Sequence, residues 1–145
     1  MPMPYVRVWI HMVWSTKDFE PVLEKELREK LYAHILENAK SKNIFLDCIN
    51  GFLDHVHVLI SLKADQSLSK IAQLLKGEAS HWINDQRLTP ARFEWQEEYF
   101  AVSVSESALE NVRSYIKRQE EHHRKKTFAE EYKEFMQKYG FAERG

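Results

Sequence analysis

The sequence predicts an α+β fold of the ferredoxin-like split βαβ type, with an antiparallel four-stranded sheet and additional C-terminal helices. Short runs rich in β-branched and aromatic residues alternate with longer stretches whose apolar residues recur every three or four positions. Six such segments follow one another in the order β-α-β-β-α-β, and two further helical segments come after them. A chain of 145 residues fits one core, so we expect residues 1–145 to form a single domain.

The first part of the chain predicts a strand, a helix and a second strand. Residues 6–15 are rich in Val, Ile and Trp and predict the first strand. An apolar stripe predicts a helix over 21–42, opened by Pro21 because a proline's missing N–H costs little in a first turn. The second strand is expected over 43–50, and Gly51 is expected to break the run.

The remaining elements follow from the same patterns. Alternating apolar residues predict a third strand over 55–62, and Ser67 is expected to cap the second helix. A fourth strand is expected near 99–104, then one helix over 105–123 and a last helix over 128–139. In such a fold the first two helices cover one face of the sheet. We expect the other face to be free for a ligand or partner.

Composition and charge limit the class of protein. Hydrophobic residues make up 43% and charged residues 30%, an ordinary soluble balance, and no apolar run could span a membrane. Cys48 is the only cysteine, which excludes an internal disulfide and suits a cytoplasmic location. The net charge is −1, but 111–126 holds six Lys or Arg and two Glu, a local +4. On charge alone a solvated helix face is favoured, with a phosphate-binding surface as the alternative.

Two histidines lie in the predicted third strand. Side chains alternate along a strand, so His55 and His57 point to the same face, about 6.5–7 Å apart at the backbone. Val56 and Val58 point the other way, into a core. Two imidazoles from one strand can bind one divalent metal ion, although two surface histidines explain this motif alone equally well.

A tyrosine and a glutamine share one side of the predicted third helix. Tyr115 and Gln119 are separated by only about 40° around the helix axis. A tyrosine hydroxyl, with a pKa of about 10, is a poor nucleophile near neutral pH, but a metal can polarise the phosphate that it attacks. Alone, a core tyrosine beside a surface amide is the simpler interpretation. Together with His55 and His57, the pair makes an N,N,O site beside a nucleophile, which suits Mg²⁺ or Mn²⁺.

The order of these motifs is similar to that of a known family. The His-Val-His run at 55–57 resembles the HUH motif, and Tyr115 with Gln119 resembles the nucleophile helix of single-tyrosine HUH transposases. Trp-Gln at 95–96 and Ser-Val-Ser at 103–105 lie between them in the same order. The chain thus resembles the insertion-sequence-200-like transposases, to which the REP-associated tyrosine transposases are related.

The resemblance implies specific roles. His55, His57 and Gln119 would hold the metal ion, and Tyr115 would be the nucleophile. The implied substrate is single-stranded DNA with a hairpin near the element's end, cut and rejoined through a tyrosine–5′-phosphate bond without a nucleotide cofactor. Members are typically homodimers in which the tyrosine helix of one subunit completes the site of the other.

Basic residues near these motifs are candidate DNA contacts. They are Arg113, Lys117, Arg118, Arg124 and Lys76. Two other functions stay open: a domesticated REP-associated enzyme that processes repeat hairpins without moving itself, and a non-catalytic module that binds single-stranded nucleic acid. Such a module would need exposed aromatic residues on the sheet, but no tyrosine in register with two histidines.

Overall fold

A computed structural model of the chain describes residues 4–141 and contains one four-stranded sheet. Its strands are β1 (Val8–Ser15), β2 (Phe45–Phe52), β3 (His55–Leu62) and β4 (Phe100–Val104). They pair antiparallel in the order β2-β3-β1-β4. This sheet and the order of the elements confirm the predicted fold class.

Six α-helices accompany the sheet in the described residues 4–141. They are α1 (Lys25–Ser41), α2 (Leu68–Ala72), α3 (Glu78–Asp85), α4 (Leu109–Lys117), α5 (Gln119–His123) and α6 (Phe128–Lys138). A π-helical turn, Gln73–Gly77, joins α2 and α3 into one rod. Ser67 caps α2 as predicted, because its hydroxyl accepts a 3.2 Å bond from the Lys70 N–H. Within this part of the chain, no helix combines the length and apolar character needed to cross a membrane.

Two predicted boundaries are wrong, and in both cases a backbone group of another segment is the reason. The first helix begins later than Pro21, because the Leu23 N–H donates to the Leu53 carbonyl at 2.9 Å and keeps this segment extended. Gly51 lies inside β2 and does not break it. A Cβ atom at Gly51 would lie 2.1 Å from the His55 carbonyl oxygen, so only glycine allows the two strands to approach so closely.

The two faces of the sheet are both covered. On one face, alternate residues of β1 and β3 pack against α1 and the rod of α2 and α3 to form the main apolar core. On the other face, Trp9 and Leu59 pack against Leu109 and Ile116 of α4, and Phe100 packs near α6. The expectation of a free face is therefore wrong. The C-terminal helices are amphipathic, and burying their apolar sides on this face stabilises the fold.

Candidate active site

The His-Val-His segment of β3 brings two imidazoles to the same face of the sheet. His55 and His57 are fully buried, and their ring centroids are 5.0 Å apart. Val56 lies in the apolar core on the opposite face. This alternation follows from the two-residue repeat of a strand. The two predicted metal ligands therefore lie together beneath α4, α5 and α6.

The Nδ1 atom of each ring contacts a polar partner. His55 Nδ1 lies 2.9 Å from Asp54 Oδ1, and His57 Nδ1 lies 2.8 Å from His11 Nε2. Burial lowers the pKa of His11 to about 4 and also lowers the pKa of His57, so both rings are neutral near pH 7. Partners of this kind orient imidazoles in metal sites, where the other nitrogen binds the ion. Both Nε2 atoms are thereby directed toward the C-terminal helices.

Gln119 is the first residue of α5, and its side chain reaches His55. Its Oε1 atom lies 2.9 Å from His55 Nε2 and 3.1 Å from His123 Nε2. The predicted third helix is divided here, because Arg118 leaves helical geometry at φ −98° and ψ 20°. Gln119 nevertheless stays close to Tyr115, whose carbonyl oxygen accepts a 3.4 Å bond from the Gln119 side chain.

Tyr115 lies on α4 beside the same histidines. The centroid of its ring is 5.7 Å from that of His57 and 5.4 Å from that of His122. Burial and the negative charge of Glu131 raise the pKa of Tyr115 above its ordinary value. The phenol is therefore protonated at neutral pH, and a cation bound nearby would favour its ionised form.

Glu131 of α6 also enters this site, and it is not among the predicted site residues. Its side chain is 3% exposed, and its oxygens lie 3.1 Å from His57 Nε2, 2.8 Å from His122 Nε2 and 3.0 Å from His123 Nε2. Burial opposes its ionisation, but the neighbouring histidines hold the pKa of Glu131 well below its usual range. The sequence carries one signal: Glu131 follows Phe128 by three positions, so it interrupts the apolar stripe of the last helix.

The buried polar cluster contains more hydrogen-bond acceptors than N–H groups to satisfy them. Its members are His55, His57, Gln119, His122, His123 and Glu131. Both nitrogens of His55 face oxygens, those of Asp54 and Gln119, although a neutral imidazole carries only one N–H. The Nε2 atom of His57 and both oxygens of Glu131 are buried without a hydrogen bond of good geometry. Buried polar atoms in this state indicate an ion or water that satisfies them. Nitrogen and oxygen donors in this arrangement fit the divalent metal that the resemblance implies.

One family profile covers most of the chain. It describes IS200-like transposases and matches residues 5–119. The chain belongs to this family. The matched span includes Tyr115 and Gln119, whereas Glu131 lies beyond it. No curated protein matches this IS200-like transposase significantly.

Two solved structures resemble this transposase in fold. One is a proposed transposase from Deinococcus radiodurans R1, 22% identical, with a TM-score of 0.66 over 82% of this chain and 96% of that chain. The other is a REP-associated tyrosine transposase bound to a REP hairpin, 12% identical, with a TM-score of 0.57 over 86% of this chain and 71% of that chain. At these identities the likeness shows the fold alone.

Two of the five predicted DNA contacts are bonded to other groups of the transposase itself. Lys76 is buried, and its Nζ donates to three consecutive backbone carbonyls, those of residues 96–98, at 2.8 to 3.2 Å. Arg113 forms ion pairs with Asp47 and Glu110. Both residues therefore hold the fold together, and neither is included among the DNA contacts proposed below.

The other three predicted contacts are on the surface. They are Lys117, Arg118 and Arg124. None of them forms an ion pair with another residue of the described span 4–141. Arg118 also lines a groove of about 610 Å³ with Lys125 and Lys126, and this groove reaches Tyr115. Exposed basic side chains thus lead from the surface to the tyrosine.

Proposed function

We propose that this IS200-like transposase cuts and rejoins single-stranded DNA at hairpin-bearing element ends through a covalent bond between Tyr115 and a 5′ phosphate. The placement of Tyr115 carries the proposal. Its ring lies 5.7 Å from that of His57, beside a buried polar cluster, and Tyr115 lines the groove that also contains Arg118, Lys125 and Lys126. A module that only binds nucleic acid does not need a tyrosine in register with two histidines.

The metal ligands in this proposal are His55, His57 and Gln119. When bound there, Mg²⁺ or Mn²⁺ supplies positive charge that stabilises the phosphate under attack and the ionised phenol. Asp54 and His11 hold the two imidazoles in orientation from the opposite side.

The chemical step is a transesterification. The Tyr115 oxygen loses its proton and bonds to phosphorus, and the bond from phosphorus to the 3′ oxygen breaks. That oxygen takes up a proton and leaves as a 3′ hydroxyl. Attack of a 3′ hydroxyl on the phosphotyrosine reverses the step and joins a strand. The bond energy is retained in the intermediate, so no nucleotide cofactor is required.

Phosphate contacts are assigned to the exposed basic residues of α4 and the segments that follow it. Lys117, Arg118 and Arg124 are accessible without breaking an ion pair of the fold. The structural neighbour is bound to a REP hairpin, which supports a hairpin substrate for this chain as well. It also supports the second candidate, a REP-associated enzyme that does not move itself. Hairpin-forming ends directly outside the gene would favour a mobile element.

A homodimer is part of the proposal, as the resemblance implies. The Tyr115 ring lies 5.7 Å from the His57 ring of the same chain, which supports a site within one subunit as the alternative to a shared one. Mixing the Tyr115→Phe and His57→Ala variants distinguishes the arrangements. Recovered cleavage would show sites shared between subunits, and no recovery after proven subunit exchange would show sites within one chain.

The proposed function is tested by incubating the full chain with single-stranded hairpin DNA from the sequence flanking its gene. With Mn²⁺ we expect a cleaved strand and a protein–DNA adduct that survives denaturation. A chelator should abolish both, and the same sequence held in a perfect duplex should stay uncut. Cleavage that continues in chelator would reject the metal-dependent chemistry, and binding without any cleavage would favour a non-catalytic module.

A further inference from the structure

Glu131 is a buried carboxylate for which the mechanism above has no role. It lies on the apolar side of α6, between Phe128 and Phe135, and its side chain is 3% exposed. Burying a charge without a partner costs far more than burying an apolar side chain of similar size. If this position served packing alone, an apolar residue would serve better. The carboxylate therefore requires N–H groups or a cation in the cluster that it faces, where three histidine Nε2 atoms lie 2.8 to 3.1 Å away.

Packing directs this carboxylate into the cluster. The Phe128 ring stacks on the His55 ring with centroids 4.0 Å apart, and the Phe135 ring stacks on Phe100 at 5.0 Å. The two phenylalanines flank Glu131 along the inner side of α6. The position of the carboxylate is therefore set by the docking of the helix and not only by its own polar contacts.

The potential ligand atoms around the carboxylate lie close enough together to share one ion. Glu131 Oε1 lies 3.1 Å from His57 Nε2, yet neither atom has a hydrogen bond of good geometry. The ligand atoms of His55, His57 and Glu131 all lie within 4.8 Å of one another. His122 and His123 form a second such group, which shares the same carboxylate. Every group of this kind in the described residues 4–141 thus includes Glu131.

We propose that Glu131 is a further ligand of the metal ion, together with His55, His57 and Gln119. This inference rests on the proposed function, because it adds a ligand to the metal site proposed there. The carboxylate contributes a negative charge that the neutral His and Gln ligands lack, and Mg²⁺ and Mn²⁺ favour such oxygen ligands. Helix α6 is then a part of the active site, tied to β3 by the ion.

The test measures Mn²⁺ binding to the metal-free full chain by isothermal titration calorimetry. Glu131→Gln should weaken binding by at least about tenfold, since even the groups that orient ligands typically contribute that much. Glu134→Gln is the matched control on the same helix, because the Glu134 side chain is 59% exposed and pairs with Lys126. We expect the control to bind Mn²⁺ as the unaltered chain does.

The outcomes separate this inference from the proposed function. Unchanged affinity in Glu131→Gln would overturn it, and tighter binding would show that the carboxylate competes with the ion for histidine nitrogens. If His57→Ala loses binding while Glu131→Gln keeps it, the proposed metal site stands and only this inference fails. Absence of Mn²⁺ binding to the unaltered chain would reject both.

Glutamine keeps one side-chain oxygen that is able to bind the ion, so a second variant removes this oxygen as well. In Glu131→Ala no side-chain atom is left to bind the ion. Hydrogen exchange of α6 is compared with and without Mn²⁺, after melting curves in metal-free buffer have shown that the variant is folded. Mn²⁺ should slow exchange of α6 in the unaltered chain and leave it unchanged in the variant. Equal slowing in both would contradict the proposal.

Discussion

The two faces of the sheet differ in what the same strands present to the helices. One face presents an apolar row to α1 and the rod of α2 and α3: Met12, Trp14, Val56, Val58 and Ile60. The other presents a polar row to α4, α5 and α6: His11, His55 and His57. Both rows are buried. Alternation along a strand thus places packing and chemistry on opposite sides of the same backbone.

This difference separates the main apolar core, which supplies stability, from the row of histidines, which carries the proposed chemistry. The apolar face needs no partner beyond shape and area, because its stabilisation comes from surface removed from water. The polar face depends on groups that satisfy buried nitrogens and oxygens. Those groups come from the C-terminal helices and, in the proposed function, from a cation. Changes to the apolar row should alter stability, and changes to the row of three histidines should alter metal binding and catalysis. Trp9 and Leu59 on the second face also pack against α4 and add to stability.

The largest effect on stability is expected from the apolar face. Leu31 of α1 is 0% exposed. Leu31→Ala leaves a cavity and should lower the free energy of unfolding by about 2–5 kcal/mol, measured by urea denaturation. The Mn²⁺ affinity of the folded protein should not change, because the ligands lie across the sheet. A weaker metal site with undiminished stability would refute the separation of the two faces.

A smaller effect is expected from a positioning residue of the polar face. Asp54→Asn removes the charge that orients His55 through the 2.9 Å contact with its Nδ1 atom. Mn²⁺ affinity should fall by about 10- to 100-fold in calorimetry. The free energy of unfolding should change by about 1 kcal/mol or less. A loss of stability as large as that of Leu31→Ala would mean that the polar face also carries the fold.

The smallest effect is expected at the surface. Lys117→Ala removes one candidate phosphate contact. The negative slope of log affinity for hairpin DNA against log salt should therefore become less steep by about 0.7. The melting temperature should not change. Lys76→Ala is the contrasting variant, because it leaves three backbone carbonyls without their donor and should lower stability with no change of slope. Equal slopes for the two variants would contradict the assignment of Lys117.

Local patterns predict most of the fold, because they depend on residues close together in the chain. The third strand is predicted at 55–62 and lies at His55–Leu62. The errors occur where a group of another segment decides the conformation. Pro21 does not begin the helix because the Leu23 N–H is hydrogen-bonded to the Leu53 carbonyl. Gly51 stays in its strand because the neighbouring strand lies too close for any side chain at this position.

The same limit applies to the candidate site. His55 and His57 share a face by strand alternation, and Tyr115 and Gln119 by helical spacing, so the sequence predicts both pairs. It does not show that α6 docks over them. The position of Glu131 on the apolar stripe of α6 therefore marks it as buried, but does not connect it with this site. The burial of Lys76 likewise depends on backbone carbonyls that are distant in sequence.

The most direct test of the account is to identify the residue that becomes joined to DNA. The protein is incubated with Mn²⁺ and hairpin DNA, digested, and examined by mass spectrometry. We expect a phosphotyrosine at Tyr115. It should be lost in Tyr115→Phe, which retains metal and hairpin binding, and it should persist in Tyr132→Phe, the control on α6. A DNA adduct on another residue, or one formed equally well by Tyr115→Phe, would contradict the account.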